Sequence, residues 1–196
     1  MKKPRLANLV NSVISATACP AVLISKLRFQ RSNDPSPVAA VNEKLEEYRM
    51  KVADTNIDPR SLLSTDYFNS FNSVVMILDM LPDAPELLDE VEQWQFIDYI
   101  EHFKTSGLDF ADLAIEVYPF APPQWRDAFE HKVNGIREVI EDVAKTLRLR
   151  LDAEERDAFA HIARTTAAKL RTMMEEGNAI VHGNSTSSQA DIDKLF

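Results

Sequence analysis

Between Ser64 and Pro82 the chain reads STDYFNSFNSVVMILDMLP, and this stretch does most to limit what the protein can fold into. Tyr67, Phe71, Val74, Leu78 and Leu81 recur at three- and four-residue spacing, the period of one helix face. Phe68, Val75, Met76, Ile77 and Met80 widen that stripe until its second half is apolar almost all round. Such a helix needs cover on most sides, which predicts other helices packed about it. Ser64 or Thr65 can cap its start, with Asp66 in the first turn. Pro82 disfavours helix at Leu81 and ends it.

Composition narrows the class. The 196 residues are 45% hydrophobic and 27% charged, as in ordinary globular proteins, and are enough for one well-buried domain. Only four glycines occur, too few for many hairpin turns, and no stretch alternates like a strand for a useful length. No run of 18 apolar residues is present, so no membrane span is expected. A lone Cys19 cannot form an internal disulfide, which suits a reducing, cytoplasmic setting. Residues 1–33 hold six basic residues and no acid, leaving 16 basic against 31 acidic in the rest, a net −15. An acidic body repels nucleic acid backbones, so no nucleic acid partner is expected.

The chain divides in three. Residues 1–36 read as a mobile basic arm; a targeting segment and a misassigned start are the other readings, since Asn8 and Asn11 interrupt the apolar part. Residues 37–181 read as an all-α single helical bundle. Its first helix starts at Ser36-Pro37 and turns Val38, Val41, Leu45, Tyr48 and Val52 to one side. After the central helix, Asp83-Ala84-Pro85-Glu86 has the form of a capping box. Leu87, Val91 and Trp94 follow on one face, then the phase slips through Phe96, Tyr99, Ile100 and Phe103. That predicts two short helices or one kinked one, closed near Gly107.

Asp109 and Asp112 open a further short helix with Leu113, Ile115 and Val117 inward, ended before Pro119. Pro122-Pro123 begins a long helix with Trp125, Phe129, Val133, Ile136, Ile140, Val143 and Leu147 along its seam. Asp152-Ala153-Glu154-Glu155 has the form of another capping box, opening a last long helix with Phe159, Ala163, Leu170, Met173 and Ile180. So short a turn predicts a long C-terminal antiparallel hairpin, and Ala158, Ala160, Ala163, Ala167 and Ala168 permit close approach. The expected core includes Phe71, Val74, Leu78, Leu81, Val91, Trp125, Phe129, Ile136, Ile140, Phe159 and Leu170.

Candidate chemistry in the body is sparse. Arg126-Asp127-Ala128-Phe129-Glu130-His131 is echoed by Arg156-Asp157-Ala158-Phe159-Ala160-His161, each placing Asp and His at i, i+4. Two ligands at that spacing could serve a metal. In an antiparallel hairpin the copies begin opposite ends, so they cannot meet in one monomer, and a solvated pair is the plainer reading. Asp66, Asn69 and Ser73, with Asn72 nearby, form a polar strip read as buried hydrogen bonds to neighbouring loops. His102 beside Tyr99 and Phe103 reads as packing, and His182 as inert. No phosphate loop, nucleophile elbow or zinc-protease motif is present. No catalytic residue, metal or cofactor is therefore assigned.

Residues 182–196 read as a flexible polar linker followed by a docking peptide, Ser188-Gln189-Ala190-Asp191-Ile192-Asp193-Lys194-Leu195-Phe196. Ile192, Leu195 and Phe196 fall at i, i+3, i+4, and apolar anchors on an acidic tethered segment are the ingredients of helix-in-groove docking. The partner-binding set is Gln189, Asp191, Ile192, Asp193, Leu195 and Phe196. These nine residues resemble the Ser-Gln-x-Glu-Ile-Asp-x-Leu-Leu peptide of the flagellar switch protein FliM, with Asp191 in place of Glu. The resemblance implies a phosphorylated response regulator of the CheY type as partner. A looser similarity links it to the end of the chemotaxis phosphatase CheZ, whose acid and Gln lie one helical turn apart. Asp89 and Gln93 have that spacing here.

The leading expectation is a non-enzymatic cytoplasmic adaptor or regulator that docks a protein partner through its tail. A phosphatase acting on a response regulator is the alternative, and a metal-binding helical bundle the third. A homodimer is compatible with each.

Overall fold

A computed structural model describes residues 37–183, with side chains from residue 41. Among them there is no sheet, only an isolated bridge between Ile57 and Ser64. The expected all-α architecture is what is found. Seven α-helices follow in order: α1 (Pro37–Lys51), α2 (Asn72–Met80), α3 (Leu88–Glu92), α4 (Tyr99–Ser106), α5 (Ala111–Val117), α6 (Pro123–Asp152) and α7 (Arg156–Val181). Three 3₁₀ turns precede α2, α3 and α6, at Thr65–Phe71, Pro85–Leu87 and Tyr118–Phe120.

α6 and α7 form the antiparallel hairpin. Pro123 opens α6, where its missing N–H costs nothing. Phe129, Val133, Ile136, Ile140, Val143 and Leu147 are buried along the seam, facing Phe159, Ala163, Ala167, Leu170 and Ile180 of α7. Lys132 reaches Glu176 at 2.6 Å, which pins the register. α2 crosses α7 in the opposite sense, with Phe68 over Gly177 and Asp79 paired to Arg171. α3 lies on α6, where Arg148 bridges Asp89 and Glu92 at 2.5 and 2.7 Å. Among the described residues no helix is long and apolar enough to cross a membrane.

Several local expectations are corrected. The central element is not one α-helix: Thr65–Phe71 winds as 3₁₀ before α2 begins. Ser70 Oγ donates to the Tyr67 carbonyl at 2.7 Å and Asn69 Nδ2 to Asp66 at 3.3 Å, local bonds that compete with the α-helical ladder. Ser64 does cap this start, accepting from Asp66 N at 3.2 Å. Met76 and Met80 are 59% and 47% exposed, so α2 is covered on the Val74, Val75 and Leu78 side only. The polar strip is likewise superficial, with Asn69, Asn72 and Ser73 exposed and Asn72 Nδ2 donating to Asn69 at 3.1 Å. Tyr48 of α1 and Val52 just after it are buried, but Val41 is exposed.

Neither proposed capping box forms. Asp83 still winds with the end of α2, its N–H bonded to Met80, so Ala84 rather than Asp83 precedes the next turn. Asp152 is helical within α6. The hairpin turn is instead a Schellman closure: Glu155 N bonds Arg150 O and Glu154 N bonds Leu151 O, both at 3.0 Å. Glu154 occupies the left-handed position (φ 56°) usual for glycine. In α5 the inward residues are Ala111, Ala114 and Val117, with Leu113 and Ile115 half-buried. Of the expected core only Trp125 is half-buried rather than buried.

Candidate functional site

The densest chemistry lies where the 3₁₀ turn before α2, the start of α4 and the start of α6 converge. Asp98 caps α4 by accepting from Glu101 N at 2.8 Å, and Gly107 (φ 68°) closes it. That short helix brings Tyr99 and Phe103 inward. Tyr99 stacks on Tyr118 (4.4 Å, 18° between planes) and meets Phe129 edge-on at 5.7 Å. Tyr67 lies 5.6 Å from Tyr99 and 5.4 Å from Phe129.

The three hydroxyls are all engaged. Tyr67 donates to the Ile97 carbonyl at 2.8 Å and Tyr118 to Glu130 Oε1 at 2.9 Å. Tyr99 Oη accepts the buried Ser64 N–H at 3.0 Å. Burial raises all three phenols above their ordinary range, and for Tyr118 the Glu130 carboxylate adds to the effect. They are therefore neutral donors and acceptors, not bases.

Outside this cluster a cleft of about 300 Å³ opens between α4, Tyr118 and the first turns of α6. Phe96, Ile100 and Tyr118 form its half-buried walls, and Tyr67, Tyr99 and Phe129 its floor. Asp98, Glu130 and Asn134 stand at the rim. His102, which does not line the cleft, meets the Tyr67 ring edge-on at 5.5 Å and Phe103 at 4.9 Å. Its Nε2 is buried and has no hydrogen-bond partner among the described residues. Burial lowers its imidazole, against the pull of nearby Asp66. The reading of His102 as a packing residue holds.

Gln189, Asp191, Ile192, Asp193, Leu195 and Phe196 lie outside the described residues. Asp89 and Gln93 are both exposed; Asp89 sits in the Arg148 fork, while Gln93 ends α3 with its N–H on the Asp89 carbonyl. His131 and His161 are exposed with their Asp neighbours. Among the described residues no three His, Cys, Asp or Glu side chains gather as metal ligands.

His182 is not idle. Its Nδ1 lies 3.4 Å from Asp58 Oδ2, and its carbonyl accepts from Arg60. Ser61 Oγ donates to the Val181 carbonyl at 2.6 Å. Burial favours the neutral Asp58 carboxyl, but its bonds to the Arg60 side chain and N–H, and to His182, outweigh this and hold it below the usual carboxylate range. The end of α7 is thus clasped by residues 58–61, beside Leu62, a fully buried residue in the left-handed region (φ 58°). Backbone strain at a non-glycine persists only where the surroundings over-determine it. Neither the clasp nor the cleft had a local sequence signal, because each joins residues far apart in the chain. No family model, curated protein or solved structure matches this chain.

Proposed function

We infer that this chain is a non-enzymatic adaptor or regulator that docks a protein partner through its C-terminal peptide, with a response regulator as the partner class. The observation that carries the reading is the peptide itself: Ile192, Leu195 and Phe196 at helical spacing, Asp191 and Asp193 beside them, and Gln189 completing the resemblance to the FliM peptide. The clasp at the end of α7 is consistent with it. Ser61, Arg60 and Asp58 hold the buried Val181 and the exposed His182 at the end of the α6–α7 hairpin. A reducing cytoplasm suits both the lone cysteine and such a partner.

In this reading the apolar anchors set residence time, and the two aspartates act on association rate and its salt dependence. Affinity is modest, about micromolar, because ordering a peptide opposes binding. The test compares the full chain with one ending at Asn184 in fluorescence titrations against response regulators carrying or lacking phosphate. The full chain is expected to bind the phosphorylated form more tightly, and the shortened chain to lose that binding. Equal binding by both chains at the same salt would remove the peptide as the docking element. Equal affinity for both regulator forms would remove the response-regulator assignment.

A further inference from the structure

The aromatic cleft has a chemistry of its own, argued without the C-terminal peptide. Its walls and floor are five aromatic rings with the aliphatic side chains of Ile100 and Val133, its rim carries two carboxylates and an amide, and no lysine or arginine lines it. Aromatic faces are electron-rich and attract cations, most strongly those with weakly hydrated alkyl surfaces. We propose that this cleft binds a small organic ammonium ion, its alkyl body against Phe96, Ile100 and Tyr118 and its charge between Asp98 and Glu130.

The hydrogen bonding leaves acceptors for that charge. Asp98 uses Oδ1 to cap α4 and Glu130 uses Oε1 to receive Tyr118; the second oxygen of each makes no hydrogen bond among the described residues. Two neighbouring arginines show what these surfaces attract. Arg137 lies over the Phe96 ring at 5.1 Å, and Arg126 Nε stands 4.0 Å from Glu130 Oε1. Neither closes the cleft: Arg126 reaches back to the Pro119 carbonyl at 3.4 Å, and Arg137 Nε lies 3.8 Å from Glu141. The cleft is at the lower end of the size range of ligand sites, which admits a compact amine and excludes a drug-sized one.

Calorimetry with the full-length chain tests this, using choline as the probe and dimethylbutanol, its uncharged carbon isostere, as the control at matched salt. Choline is expected to bind saturably, and the isostere at least about tenfold more weakly. Asp98→Asn keeps a side chain able to cap α4, and Glu130→Gln keeps an acceptor for Tyr118, so the double variant removes charge while retaining the fold. It should weaken choline at least about tenfold and leave the isostere unchanged. Tyr118→Leu should weaken both. The proposal is overturned by no saturable choline binding, by equal binding of choline and isostere, or by a folded double variant that binds choline as the parent does.

Discussion

The α6–α7 hairpin and the segment from residue 57 to 120 are held together by different means. The hairpin is 30 and 26 residues of uninterrupted helix, so its backbone is satisfied internally and an apolar seam suffices to join its arms. None of α2, α3, α4 and α5 exceeds nine residues, a length at which helices are not stable alone. That half relies on a knot of aromatic rings, and two of its tyrosine hydroxyls tie loop backbone to the knot. Where a chain lacks helical length, side chains of specific shape and polarity must replace it.

Phe129 belongs to the hairpin yet meets Tyr67, Phe68 and Tyr99 at 5.4, 5.6 and 5.7 Å, so it is where the two systems are joined. Phe129→Ala should cost ~3–5 kcal/mol in urea unfolding, more than most changes within either region. Leu78→Ala, fully buried between α2 and its neighbours, should cost ~2–5 kcal/mol. A loss under about 1 kcal/mol for Phe129 would mean that the rings are not a joint between the halves.

Two glycines on the hairpin separate the regions with one substitution. A Cβ on Gly177 would fall within 3.0 Å of three Phe68 ring carbons, so Gly177→Ala should destabilise by ~1–3 kcal/mol. At Gly135 the nearest atom is the mobile Cε of Met173 at 3.4 Å, and Gly135→Ala should stabilise by ~0.5–1 kcal/mol through helix propensity. Opposite signs in thermal denaturation support the packing argument. The same sign at both sites defeats it.

Tyr99→Phe keeps the ring stack with Tyr118 and removes only the acceptor of the buried Ser64 N–H. An orphaned buried donor costs ~1–3 kcal/mol, so this deletion of one oxygen should approach a core truncation in effect. Hydrogen exchange at the Ser64 amide should accelerate in the variant. An unchanged stability would show that water replaces the hydroxyl.

These contrasts also explain what could be read in advance. The hairpin was legible because α6 repeats its apolar spacing from Phe129 through Leu147, about five turns, enough to define a face. The 3₁₀ turn at Thr65–Phe71 was not, since apolar residues three apart fit either helix, and the choice fell to Ser70 and Asn69. Asp98-x-x-Glu101 is a capping pattern that does cap, whereas Asp83-x-x-Glu86 is one that does not; there the end of α2 still winds through Asp83, and Pro85 offers no N–H. The cleft depends on Tyr99 meeting Tyr118 and Phe129, and the clasp on Ser61 meeting Val181, contacts that no local pattern encodes.

The hairpin turn provides a smaller effect of the stabilising sign. Glu154 is exposed and holds a left-handed conformation that disfavours a side chain by ~1–2 kcal/mol, while glycine adopts it freely. Glycine also adds freedom to the unfolded chain, so Glu154→Gly should gain about 1 kcal/mol or less. A lower melting temperature in the variant would indicate that the Glu154 side chain contributes to the turn.

The smallest effect is a pH dependence confined to the aromatic half. Partial burial between Tyr67 and Phe103 disfavours the charged form of His102, with Asp66 the opposing charge and its own α4 neighbour Glu101 turned to solvent. Its folded pKa lies below the unfolded value of about 6.5, so the unfolded chain binds the extra proton first. Stability attributable to His102 is therefore present above about pH 6.5 and is lost as pH falls toward the folded pKa. Asp58 is also depressed, but its contribution is lost only in the more acidic window below the ordinary carboxylate value, so the two do not overlap. Unfolding midpoints measured from pH 7.5 down to pH 5, values chosen to bracket about 6.5, should fall in the parent and stay flatter in His102→Phe, which retains the ring contacts. Parallel curves would show that the imidazole is as free to protonate in the fold as in water, and that its buried Nε2 has solvent access.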